Sequence, residues 1–138
     1  MKTREELVAI ARAHADSETG DDVELTLSTL EPDPVYELQP VGRVLRGMPA
    51  ARRYYEHFFA RFRPLVRAFT LRNEWVTDEG VGQEYVITLA TPERGEERHH
   101  VIGILTFGKD ALSGERVYAS ERLLRLMFGP AYDLGEPL

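Results

Sequence analysis

HHVIGILTFGKDALSGERVYASERLLRLMFG, residues 99–129, decides the fold. His99 to Phe107 carries Val101, Ile102, Ile104, Leu105 and Phe107, apolar at both parities, which predicts a mid-sheet strand with both faces covered. Lys109 to Gly114 turns the chain back, Glu115 to Ser120 forms a last strand, and Leu123, Leu124 and Met127 mark a short closing helix before Gly129-Pro130. Helices of the same chain cover one face of the strand. For the other, a chain this short borrows a partner, so the pattern predicts a homodimer through the outer sheet face.

Upstream, two strands alternate. Phe69, Leu71 and Trp75 alternate with Thr70, Arg72 and Glu74, and Val81, Tyr85, Ile87 and Leu89 occupy odd positions after a turn at Asp78-Glu79-Gly80. Further back the period becomes helical. Thr3 and Glu6 make a capping box ahead of Leu7, Ile10, Ala11 and His14, and Asp21 or Asp22 caps a second helix with Val23, Leu27 and Leu30. Pro32 and Pro34 end that helix, Val35 to Gln39 reads as a short strand closed by Pro40, and VGRVLRG reads as a loop. A third helix from Pro49 to about Arg63 bears Tyr54, Tyr55, Phe58, Phe59 and Phe62 on one broad face. The order, three helices around one strand, then four strands and a helix, is α+β, with an apolar pocket where the curved sheet and the helices diverge.

The chain of 138 residues reads as a single domain over 1–138. Its 23 acidic against 17 basic residues give a net charge of -6, which argues against nucleic acid as a partner. The absence of cysteine removes disulfides and thiolate chemistry and fits a reducing compartment. No continuous apolar run suggests a signal peptide or a membrane span, so a cytoplasmic address is expected.

VYELQPVGRVLRGMPAARRYYEHF (35–58) and GERVYASERLLRLMFG (114–129) carry a resemblance. The first resembles the strand, Pro-Val-Gly loop and glycine-led third helix of the nuclear transport factor 2-like superfamily, and the second the ending of its SnoaL-like polyketide cyclase and ketosteroid isomerase-related members. The resemblance implies a cone-shaped fold, three N-terminal helices on a strongly curved, mostly antiparallel sheet around a hydrophobic pocket, often dimeric. It also implies where functional residues stand. Ketosteroid isomerases hold an aspartate base before the Pro-Val-Gly, where this chain has Gln39, and their first-helix tyrosine matches Ala13, beside His14. An aspartate of the SnoaL-like ending becomes Ser120. The carboxylates and arginine of related epoxide hydrolases become Tyr85, Ile87 and Val117.

Read as chemistry, His14 on the apolar stripe of the first helix is a candidate general base, as is His99, favoured over His100 by parity with Val101, Leu105 and Phe107. Tyr85 is a candidate oxyanion donor. Gln39, Asn73, Tyr54, Tyr55, Trp75, Glu115 and Val117 are candidate ligand contacts; for Glu115, a solvated strand end is the favoured reading over a buried acid. No spacing completes a metal site, and the arrangement needs no metal or organic cofactor. Two functions follow: a cofactor-free isomerase, cyclase or dehydratase moving protons on a small apolar cyclic molecule, or a non-catalytic binding or dimerisation module of the same fold.

Overall fold

A computed structural model describes residues 1–138. Helix α1 (Arg4–Ser17) starts at the expected capping box, with Thr3 and Glu6 exchanging side-chain to backbone hydrogen bonds, and α2 (Val23–Leu27) is capped by Asp22. Strand β1 (Leu30–Gln39) begins at Leu30 rather than Val35. Pro32 and Pro34 are tolerated because the ladder to β6 (Leu112–Tyr118) is interrupted between Leu30 and Val35, so neither proline is asked for a ladder hydrogen bond. The expected loop after Pro40 holds another strand, β2 (Arg43–Arg46), which pairs antiparallel with β1.

Helix α3 (Met48–His57) stops short of Arg63; residues Phe58–Phe62 form a π-helical turn and Arg63–Leu65 a 3-10 turn. Together they turn Phe58, Phe62 and Arg63 toward the sheet. Strands β3 (Val66–Val76), β4 (Gly80–Thr91), β5 (Gly95–Phe107) and β6 then follow as an antiparallel meander. Helix α4 (Glu121–Phe128), a 3-10 turn and the two-residue strand β7 (Glu136–Pro137) close the chain. The sheet order is β3-β4-β5-β6-β1-β2-β7, antiparallel except for the β1·β6 pair.

Inward odd residues of β4 and β5 meet the helices: Val81, Ile87, Leu89, Val101 and Leu105 are buried with Tyr54, Tyr55, Phe62 and Phe128 in one core. Tyr54 stacks on Phe128 with ring centroids 3.8 Å apart, which locks α3 to α4. The outer face of β5 is not covered by this chain: Ile102 is 38% exposed, near Tyr118 on β6. A one-residue bulge at Arg72 changes the inward set of β3. Leu71 pairs with Tyr85, but Asn73 pairs with Glu84 and Trp75 with Gly82, so both fall on the outer face.

Candidate functional site

Between α1, the π-helical turn and the inner face of β3–β6 lies a cavity of about 300 Å³. Its apolar wall includes Tyr54, Phe58, Phe62, Phe69, Tyr85 and Met127. Polar groups enter from three directions: Glu18 from the C-terminal end of α1, Gln83 and Tyr85 from β4, and Glu115 from β6.

Two glycines place Glu115. Gly114 has φ 144°, and a Cβ there would run into the carbonyl oxygen of Val35, so only glycine lets β6 lie this close to β1. On β5, a Cβ at Gly103 would stand 2.7 Å from Oε2 of Glu115, so the bare glycine is the space that the carboxyl occupies. No protein donor reaches that carboxyl. Burial pushes it well above the usual carboxylate range, and the neighbouring Glu18 adds to the rise.

His14, Glu18 and Glu115 form a cluster whose ring nitrogen and carboxylate oxygens all lie within 4.8 Å of one another. Glu18 stands one helical turn after His14, with Oε2 3.6 Å from Nε2. The ring of His14 is fully buried and its tautomer is fixed by its neighbours. Thr29 Oγ1 spends its only proton on the carbonyl of Thr26 at 2.7 Å, so it accepts from Nδ1–H of His14, also at 2.7 Å. In the neutral ring Nε2 is then the acceptor, for the Tyr55 hydroxyl at 2.9 Å, and Tyr36 donates to Tyr55 at 2.6 Å. The chain of donors runs one way, from Tyr36 to Thr26. Tyr36 is the register partner of Glu115 across the parallel β1·β6 pair, which brings the start of that chain beside the acid.

Tyr54 and Tyr85 are the remaining hydroxyls. Burial raises both phenols, with Glu18 and Glu115 adding, and neither hydroxyl has a protein hydrogen-bond partner. Tyr54 is 1% exposed. Both donors are therefore free for a ligand.

Several sequence expectations are corrected here. Glu115 is not a solvated strand end but part of the cavity wall. Gln39 faces away from the cavity; it pairs with Tyr118 and its amide lies 3.4 Å from Glu37. Asn73 is exposed and Trp75 is 44% exposed, both turned out by the β3 bulge. His99 shares a face with Val101 but sits beyond the cavity, where its Nε2 is 3.0 Å from Glu97. Glu97 is held at about 2, first by Arg122 and then by Thr91 and His99, in a network that ties α4 to the β4–β5 hairpin. Val117 is buried in the core against Gly103 and Leu38 rather than on the cavity wall. Tyr55 likewise stands behind the wall, in the hydrogen-bond chain, while Tyr54 and Tyr85 line the cavity.

Glu18, Gln83 and Arg63 were not expected. Glu18 follows His14 by four residues, a spacing that puts both on one helix face, and this was the available signal. Gln83 sat at an inward parity among Val81 and Tyr85. Arg63 borders the aromatic face of the third helix, a place that reads from sequence as a solvated edge.

No family model matches the chain, and no curated protein does. Solved structures do. The chain has the nuclear transport factor 2-like fold. A putative ketosteroid isomerase from Kribbella flavida superposes with a TM-score of 0.68 at 19% identity, over 85% of this chain and 79% of that one. A putative SnoaL-like polyketide cyclase from Jannaschia sp. gives 0.67 at 12% identity over 94% and 99%. The epoxide hydrolase/cyclase-like enzyme SalBIII, described for pyran ring formation in the polyether salinomycin, gives 0.70 at 16% identity over 88% and 96%. The chain thus shares the fold of those proteins along most of its length. No helix is long and apolar enough to cross a membrane.

Proposed function

We propose that this nuclear transport factor 2-like protein binds a small, mostly apolar ring compound in its cavity and moves a proton on it without a cofactor. The observation that carries the reading is the Glu18–Glu115 pair: two carboxyl groups in one apolar cavity, in environments that separate their roles. Glu18, half-buried at the cavity rim, is the base that takes a proton from carbon. Glu115, whose carboxyl is pushed toward its protonated form by burial and by Glu18, is the acid that returns one to another atom of the substrate. After the step the proton lies on Glu18 and passes back to Glu115, which restores the starting pair. Tyr85 and Tyr54 hydroxyls supply hydrogen bonds to charge developing on a substrate oxygen. His14 stands beside Glu18, with Nε2 3.6 Å from Oε2 and taken up as the acceptor for the Tyr55 hydroxyl.

The test is proton exchange in deuterated water. Cyclic ketones and enones are incubated with the protein and their carbon-bound deuterium is followed by NMR. The expected result is protein-dependent exchange that drops on the order of 100-fold or more in Glu18→Gln and in Glu115→Gln. Compounds that bind the cavity without exchanging in any case would leave a binding module and reject the acid–base reading.

A further inference from the structure

The charge inside the cavity is unbalanced. Glu18 and Glu115 converge there, and no lysine or arginine pairs with either carboxyl group; the neighbour of Glu18 is His14, 3.6 Å away, whose Nδ1–H is committed to Thr29 and whose Nε2 accepts from Tyr55. Arg63 lines the same cavity; its Nη1 and Nη2 donate to the carbonyls of Glu18 at 3.0 Å and of Thr19 at 2.8 Å, and its Nε is buried without a partner. There it neutralises the C-terminal end of α1 rather than the carboxylates. The groups facing Glu115 are His14 and Glu18 from α1, Tyr36 from β1, Tyr54 from α3 and Tyr85 from β4, none a fixed cation.

Around this negative centre the wall is aromatic. Tyr54, Phe58, Phe62, Phe69 and Tyr85 line the cavity. Ring faces attract cations, most strongly where water is excluded, and a carboxylate beside an aromatic cage adds a direct counter-charge. Tyr54, a residue only 1% exposed, stands in the same wall with a hydroxyl that has no protein partner.

We infer that the ligand of this cavity is an organic amine carrying a positive nitrogen on an apolar body, the nitrogen lying between the Glu18–Glu115 pair and the aromatic rings. The inference rests on the cavity being the ligand site and specifies the substrate class; it does not depend on turnover. A positive nitrogen at that place also makes adjacent C–H bonds more acidic, which suits a carboxylate base.

The experiment compares choline with 3,3-dimethylbutan-1-ol, the same shape with carbon in place of the charged nitrogen, by calorimetric titration of the full chain. Choline is expected to bind at least about tenfold more tightly than the alcohol, a preference of the size desolvated cation–ring contacts give. Glu18→Gln and Glu115→Gln should each reduce the preference, and the double variant should abolish it while the alcohol binds as before. Nuclear Overhauser contacts from the N-methyl protons to the Tyr54 and Tyr85 rings provide a readout that needs no variant. Equal binding of the two compounds, no measurable binding of choline, or a preference that survives in the double variant each overturns the inference. Deuterium exchange on neutral ketones, if present, would survive that failure, so the two readings fall separately.

Discussion

Gly103→Ala is the substitution that isolates the placement of Glu115 from everything else in the site. The new Cβ would meet Oε2 of Glu115 at 2.7 Å and its Cδ at 3.8 Å, so restoring an ordinary contact of 3.4 Å moves the oxygen by about 0.7 Å. Only the tip of a flexible side chain stands in the way. Turning that side chain off its rotamer costs about 0.5–1.5 kcal/mol, and replacing glycine in an extended strand returns about 0.4–1 kcal/mol through the unfolded chain. The two nearly cancel, and the melting temperature should shift by no more than a few degrees. The acid, by contrast, is displaced by most of an ångström, which lowers turnover by roughly 10- to 100-fold. A pH titration of carboxyl carbons by NMR, with Glu115 assigned through Glu115→Gln, should show its resonance moved and its midpoint changed in Gly103→Ala. An unmoved resonance with unchanged exchange would refute the claim that Gly103 makes room for the carboxyl. A fall in melting temperature beyond about 10 °C, equivalent to about 3 kcal/mol, would show that the strand and not the side chain yields.

Further outcomes follow from other parts of the molecule. Glu115 titrates above the ordinary 4.5, so its contribution to stability is full below that value and is lost as pH rises through the folded pKa; Glu115→Gln should therefore be more stable than the parent at alkaline pH, with the two denaturation curves parallel in acid. Glu97 has the opposite sign: held at about 2, it stabilises above 4.5 and loses that contribution as pH falls toward 2, and Arg122→Ala should lower the melting temperature at neutral pH and flatten this acid limb. Thr29→Val leaves the Nδ1–H of His14 without its acceptor and should cost about 1–3 kcal/mol in urea denaturation, with the ring nitrogens of the parent showing the proton on Nδ1 by NMR. Sedimentation at micromolar concentration should give a dimer that Ile102→Glu converts to monomer, because Ile102, Trp75 and Tyr118 present an apolar outer face that this chain leaves uncovered.

Much of the fold could be read from period alone. The Thr3–Glu6 box, the odd-numbered apolar residues of β4 and the Leu123-Leu124-Met127 stripe each obey a local rule, and tertiary structure did not override it. Where the reading failed, the deciding contact was distant in sequence. The bulge at Arg72 has no mark in its own strand, yet it moves Asn73 and Trp75 to the other side of the sheet and brings Glu74 inward, where Gln83 donates to it at 2.9 Å. Pro32 and Pro34 looked like a stop because their exemption from pairing depends on where β6 lies. Glu115 looked solvated because glutamate at a strand end usually is, and its burial is set by Gly103 on one neighbour and Tyr36 on the other. A glycine interrupting Val101 and Leu105 was the one visible hint that something needed room.

The parallel pairing of β1 with β6 has a consequence for how the protein comes into being. His14 and Glu18 lie about a hundred residues before Glu115, and they meet only when β6 pairs with β1, across the sequence of the whole β3 to β5 meander. Loop-closure entropy predicts that the local hairpins assemble before this pairing, which has the longest loop to close. On a ribosome the acid remains apart from its partner until β6 has emerged, so no nascent fragment shorter than that carries the assembled cluster. Proton transfer, once measured, would report on completed folding.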